Sequence, residues 1–212
     1  MIKNISNRIP PNYSTWQTIE LSYQFAKQMI DENIEGDFVE CGVAAGNNLA
    51  AMSLAGRHGF GFDSFEGIPW AGENDDQQPG MVSKTTNKGL SSSGITVHSK
   101  ENVELDMKKW GITNYTLIKG WFQDTMPLFP HRPISVLRLD GDLYDSTMTS
   151  LIYLYPMLSK GGILIMDDWN LSGCRKAFYD YFGHIKEVLS PRDEEYFLPT
   201  EILDYGVKYF RK

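Results

Sequence analysis

Short apolar runs that end in carboxylates constrain this chain more than any other feature. Ile134-Ser135-Val136-Leu137-Arg138-Leu139 runs into Asp140-Gly141-Asp142, and Ile163-Leu164-Ile165-Met166 runs into Asp167-Asp168. A third run, Asp37-Phe38-Val39, passes into Glu40-Cys41-Gly42-Val43-Ala44-Ala45-Gly46. Apolar runs of this length, bounded by polar and glycine residues, read as buried strands. In an open parallel α/β sheet the ligand crevice lies at the carboxyl ends of the strands. Carboxylates gathered there would face a divalent metal, a cationic ligand, or both.

The rest of the chain supplies the crossovers such a sheet needs. Ser14 or Thr15 can cap a helix in which Trp16, Ile19, Tyr23, Ala26 and Ile30 form one stripe, ended by Gly36. Asp37 to Cys41 is the first strand, followed by a helix from about Asn47 that Gly56 and Gly59 stop. Phe60 to Asp63 is the second strand, and Ser99 caps a helix ending at Gly111. Tyr115 to Lys119 and Ile134 to Leu139 are strands three and four. A helix capped by Ser146 or Thr147 and closed by Gly161-Gly162 leads into strand five, and another spans about Ser172 to Phe182. Tyr196 to Ile202 and Val207 to Phe210 read as a closing hairpin joined through Asp204-Tyr205-Gly206. Strands alternating with helices indicate a parallel sheet. Residues 69–94 are polar and aperiodic, the signature of a functional lid or a disordered segment.

At 212 residues the chain fits one domain, and 42% hydrophobic with 22% charged residues argues against disorder. A net charge of −7 disfavours a nucleic-acid backbone or an anionic membrane surface as partner. Two cysteines, Cys41 and Cys174, suit a reduced cytoplasmic setting better than a disulfide framework. There is no apolar stretch of signal-peptide or transmembrane length.

Three motifs carry chemistry. In Glu40-x-Gly42-x-x-x-Gly46, Gly42 permits a tight turn and Gly46 lets a ligand approach a helix N-terminus. The G-x-G-x-x-G spacing of a dinucleotide site is missing, and a carboxylate ends the strand, which suits a ligand with a cationic portion. Asp63 lies about 20 residues past Gly42, where an acidic residue accepts hydrogen bonds from ribose hydroxyls. Asp140, Asp142, Asp167 and Asp168 would repel one another without a cation or proton between them. Oxygen donors with neither His nor Cys nearby suit Mg²⁺, with Mn²⁺ able to take its place, rather than zinc.

At these residues the sequence resembles the macrocin O-methyltransferase family of S-adenosylmethionine- and Mg²⁺-dependent sugar O-methyltransferases. The resemblance runs from about residue 36 to 182, through DFVECGV at 37–43, FDSFEGIP at 62–69, GWFQDTMP at 120–127, LRLDGDLYDST at 137–147 and DDW at 167–169. It implies a Rossmann-like class I methyltransferase fold. That fold has a mostly parallel seven-stranded sheet, an antiparallel C-terminal edge hairpin and helices on both faces. It also implies a single domain over 1–212, with an N-terminal helical cap (1–36) and a lid or acceptor loop (69–98). Metal ligands would be Asp140, Asp167 and Asp168, an arrangement similar to catechol O-methyltransferase, with Asp142 as general base. The cofactor set would be Glu40, Gly42, Val43, Ala44, Gly46, Asn47, Asn48, Asp63, Ser64, Gln123, Asp124 and Asp140. The partners implied are a small-molecule or glycan acceptor and further copies of the chain. Ala44-Ala45-Gly46-Asn47-Asn48 departs from the family's Trp-Arg-Gly-Gly-Ser.

Two other readings compete. Asp140-Gly141-Asp142 with Asp167-Asp168 imitates a phosphohydrolase of the haloacid dehalogenase type, although that nucleophile usually follows the first strand. A non-catalytic cofactor-binding subunit is the other. His58, His98, His131 and His184 lack ligand spacing. Trp70, Trp121 and Trp169 sit beside the motifs, whereas core packing accounts for Trp16 and Trp110.

Overall fold

The computed structural model describes residues 5–75, 92–186, 201–202 and 206–212. Five strands pair in parallel: β1 (Asp37–Cys41), β2 (Gly59–Asp63), β3 (Tyr115–Lys119), β4 (Ile134–Leu139) and β5 (Leu158–Met166). Two short strands, β6 (Glu201–Ile202) and β7 (Lys208–Arg211), bring the sheet to seven in the order β3-β2-β1-β4-β5-β7-β6. β7 runs antiparallel to both neighbours. The order reverses between β1 and β4, which opens the ligand crevice at their carboxyl ends.

Alternation along the strands divides the core in two. Phe38, Val136, Ile163 and Ile165 face α1 (Ile5–Arg8), α2 (Trp16–Asp31), α3 (Asn47–Leu54) and α4 (Lys100–Lys109). Val39, Cys41, Leu137, Leu139, Leu164 and Met166 face α6 (Tyr144–Leu154) and α7 (Ser172–Lys186). A short α5 (Phe122–Thr125) follows β3. By the same alternation Glu40 and Arg138 fall on the α2–α3 face. They are register partners, and Arg138 in turn pairs with Ile165.

Several boundaries differ from the sequence reading, each for a physical reason. α2 stops at Asp31, because Asn33 takes the left-handed φ of +56° and Ile34 N–H returns to Met29 O. Gly36 is needed for space instead: a Cβ there would lie 2.6 Å from the Ile134 backbone. α6 begins at Tyr144, ahead of Ser146 and Thr147, because its cap comes from outside the segment: Tyr144 N–H donates to Asp75 Oδ1 at 2.7 Å. Gly161-Gly162 lies inside β5, and the preceding helix ends in a 3₁₀ turn over Tyr155–Met157 that contains Pro156. Trp16 is 54% exposed, so it is not a core residue; the buried stripe of α2 is Thr18, Ile19, Ser22, Phe25, Ala26 and Met29. α1 and α5 were too short to show a period. Most of the Tyr196 to Ile202 strand, the Asp204-Tyr205 link and residues 76–91 of the lid lie outside the described residues.

Candidate active site

The loops leaving β1, β2, β3 and β4 surround a cavity of about 670 Å³. Gly42, Val43, Ala44, Asp63 and Ser64 form one wall, with Trp121 and Gln123 beside them. Asp140, Asp142, Leu143, Asp145, Met148 and Thr149 form another, and Ile68, Pro69 and Trp70 come from the start of the long loop. Tyr13 and Ser14 reach in from ahead of α2. Tyr13, Ala44, Thr96 and Asp142 line this space with positive φ angles between 45° and 60°, and Phe65 (φ +54°) adjoins it. Strained backbone of this kind concentrates where geometry is held for function.

The glycine turn is built tightly against β4. Gly42 has φ +90°, and a Cβ there would sit 1.7 Å from Asp140 O. Asp63 pins the turn from the other side: its Oδ2 accepts from Val43 N–H (2.8 Å) and Ala44 N–H (3.0 Å), and its Oδ1 from Phe65 N–H (2.6 Å). Burial raises the Asp63 pKa, and these three N–H groups oppose the rise. Gly46 does not open into the cavity; the space beside it is filled by Val103 and Met107. Ser64 closes the next turn, donating to Gly67 O and accepting from Glu66 N–H.

Asn47 and Asn48 are 2% exposed and lie behind the cavity wall. Asn47 donates to Pro10 O at 2.8 Å. Asn48, with its amide oriented to satisfy both ends, donates to Ser22 Oγ and Thr18 O. Its oxygen accepts from Ser14 Oγ (2.8 Å) and from Arg138 (3.1 Å). Asp124 is exposed at the start of α5 and is not among the cavity-lining residues.

The acidic centre assembles as its spacing implies. Asp140, Asp167 and Asp168 each offer a carboxylate oxygen, and these oxygens lie within 4.8 Å of one another. Asp168 Oδ2 also accepts from Asp142 N–H at 2.9 Å. Burial, followed by the charge of Asp167, raises Asp140 well above the carboxylate range. Burial, with Asp142 and Asp167, does the same to Asp168. Asp142 is pushed up to about 6, by burial first and then by Asp167 and Asp63. A cluster of hard oxygen donors whose protein surroundings disfavour its own charge fits a divalent cation such as Mg²⁺.

Sequence reasoning passed over Arg138. Its side chain is 1% exposed, donating from Nη1 to Asp140 Oδ2 (2.8 Å) and from Nη2 to Asp167 Oδ1 (2.6 Å). Glu40 lies 3.7 Å away, equally buried, with Oε2 unpartnered, and so faces the arginine instead of the cavity. Burial pushes Glu40 up to about 8 against the pull of Arg138. Burial also works against the arginine's charge, but Asp167, Asp140 and Glu40 outweigh it and hold the guanidinium protonated. The available signal was a cation inside an otherwise apolar run.

The other candidates resolve simply. His58 pairs with Thr116 Oγ1 at 2.8 Å, and His98 lies edge-on to Tyr13. The His184 side chain lies outside the described residues. Trp169 packs on Phe178 and Phe210 under Lys208, away from the cavity. Cys174 is buried and accepts from Thr147 Oγ1.

The family model for macrocin-O-methyltransferase (TylF) matches residues 19–194. A rhamnosyl-tetracenomycin C 4'-O-methyltransferase of Streptomyces olivaceus is 32% identical over 167 residues, covering 73% of this chain and 61% of that protein. Demethyldecarbamoylnovobiocin O-methyltransferase of Streptomyces niveus is 32% identical over 193 residues, covering 85% and 72%. The chain thus spans about three-fifths of the length of the tetracenomycin enzyme. The solved structure of the O-methyltransferase NovP superposes with a TM-score of 0.72 at 30% identity, covering 93% of this chain and 80% of that one.

Proposed function

The chain belongs to the macrocin O-methyltransferase family, and from that premise we propose that it transfers a methyl group from S-adenosylmethionine to a sugar hydroxyl on a glycosylated natural product, with Mg²⁺ as its metal. The observation that carries this reading is that the glycine turn pinned by Asp63 and Asp140, one of the three clustered carboxylates, line the same cavity, with Asp167 and Asp168 beside Asp140 outside its lining. The two relatives named above are O-methyltransferases of a rhamnosyl-tetracenomycin C and of demethyldecarbamoylnovobiocin, and the proposed acceptor class follows theirs.

Asp140, Asp167 and Asp168 are the residues that would hold the metal. Bound there, Mg²⁺ supplies the charge that makes a hydroxyl acidic near neutral pH, and S-adenosylmethionine supplies an electrophilic methyl. The chain's own residues do the rest. The turn at Gly42 to Ala44, fixed by Asp63, forms the wall for the amino-acid and ribose portions, with Trp121 and Gln123 beside the adenine. Trp70, Leu143, Met148 and Thr149 offer an acceptor sugar an apolar surface with a polar edge, which excludes water from the reacting atoms. Asp142 faces the same space and takes the hydroxyl proton on its carboxylate.

Family membership lends no support to a phosphohydrolase. Intact carboxylates throughout the centre favour a working enzyme over a non-catalytic subunit. The test is transfer of labelled methyl from S-adenosylmethionine to a panel of glycosylated natural products that includes a rhamnosyl-tetracenomycin C and demethyldecarbamoylnovobiocin. Transfer that is abolished by EDTA and restored by Mg²⁺ is expected. Mg²⁺-independent transfer would overturn the metal assignment.

A further inference from the structure

The α2–α3 face of the sheet changes character over one strand pair. Phe38, Val136 and Ile163 are apolar, yet one pleat further on Glu40 and Arg138 stand side by side as register partners, both 1% exposed. A guanidinium sealed inside an apolar layer is costly unless every donor has a partner. Here the partners come from three strands and a helix: Glu40 from β1, Asp140 after β4, Asp167 after β5 and Asn48 from the first turn of α3. The planar fork of arginine can hold two carboxylates at a fixed angle, which a lysine ammonium cannot. Each aspartate gives one oxygen to the guanidinium, Oδ2 of Asp140 and Oδ1 of Asp167, leaving the second oxygen of each available to a cation.

We propose that Arg138 is the positioning residue of the acidic centre: a permanent internal cation that sets the spacing of Asp140 and Asp167, and is itself aimed by Glu40 and Asn48. The inference rests on the metal-dependent reading above. Its chemistry is that of groups behind a metal site, which orient the ligands without touching the metal. The arrangement also ties the two halves of the site together. Asn48 reaches the cavity-lining Ser14 on one side and Arg138 on the other, so the segment ahead of α2, the helix after the glycine turn and the metal ligands share one hydrogen-bonded chain. Charge balance points the same way. With all three aspartates ionised against a bound cation, Arg138 would leave Asp140, Asp167, Asp168 and itself at a net −2, which one divalent cation neutralises.

Arg138→Lys keeps the charge and removes the fork. Calorimetric titration with Mg²⁺ should show affinity weakened by roughly 10- to 100-fold relative to the unaltered enzyme. The affinity for S-adenosylhomocysteine, measured on the same samples, should stay close to the original. Unchanged Mg²⁺ affinity in a folded Arg138→Lys protein would overturn the proposal and leave the metal reading standing. An unaltered enzyme that binds no Mg²⁺ would sink both. If the variant does not fold, a crystal structure of the unaltered enzyme with Mg²⁺ and S-adenosylhomocysteine decides. A guanidinium still bonded to both aspartates supports the role, and one swung away from either refutes it.

Discussion

Asp142 enters the cavity from a backbone at φ +60°, with its N–H held by Asp168. An aspartate tolerates that conformation at some cost, so the surrounding hydrogen bonds keep the carboxylate where the fold needs it. Replacing Asp142 with Asn preserves shape and removes the proton acceptor. Turnover should fall by about 10²- to 10⁴-fold with S-adenosylhomocysteine affinity nearly unchanged, measured by initial rates and calorimetry. Turnover that survives would mean that another group takes the proton. At this scale the sequence was legible for residues whose chemistry follows from position alone, such as the carboxylates at strand ends. It was not legible for Glu40, Asn47 and Asn48. They sit in the expected turn, but their side chains point behind it, and a one-residue difference in facing direction is decided by packing across the sheet. Arg138 was hidden inside a run that otherwise reads as apolar.

Elements meet at Asp75. Its carboxylate accepts from Tyr144 N–H at the start of α6 and from Gly72 N–H, and a Cβ on Gly173, in the first turn of α7, would lie 2.1 Å from its Oδ1. Two helix N-termini therefore converge on one negative charge, which tethers the start of the long loop beside the Asp142 segment. Asp75→Ala should cost about 0.5–2 kcal/mol in urea unfolding, as for other lost N-terminal caps. Gly173→Ala should destabilise the unaltered chain by crowding Asp75. In the Asp75→Ala background it should instead stabilise by up to about 1 kcal/mol, because alanine is the better helix former. A stabilising Gly173→Ala in the unaltered chain would remove the tether from the account. Strand positions were read closely, with β1, β3 and β4 at their expected limits. α6 was displaced because its cap is supplied by a residue about 70 positions away, which no local pattern contains.

At the carboxyl ends of β1, β4 and β5 the molecule gathers more carboxylates than the buried Arg138 beside them balances. Glu40 is pushed to about 8 from an ordinary 4.5, and Asp140 and Asp168 are raised by the same burial and mutual repulsion. Unfolded, these groups ionise at ordinary values. Between about pH 4.5 and 8 the folded state therefore holds more protons, and stability falls as pH rises. Thermal melts of the metal-free protein should show the melting temperature declining across that window, and saturating Mg²⁺ should flatten the decline by binding only the folded centre. A metal-free melting temperature that rises from pH 5 to 8 would contradict this electrostatic picture. Among the described residues no helix is long and apolar enough to cross a membrane. The parallel sheet followed from alternating strands and helices, whereas its order, with the reversal between β1 and β4, is set by packing between elements that no local pattern contains. S-adenosylmethionine is the proposed occupant of the cavity between the glycine turn and Asp140. Calorimetric titration of the purified protein with S-adenosylhomocysteine tests it most directly. Saturable binding with one site per chain is expected, and a folded protein that gives no heat with the nucleoside while still binding Mg²⁺ would rule that occupant out.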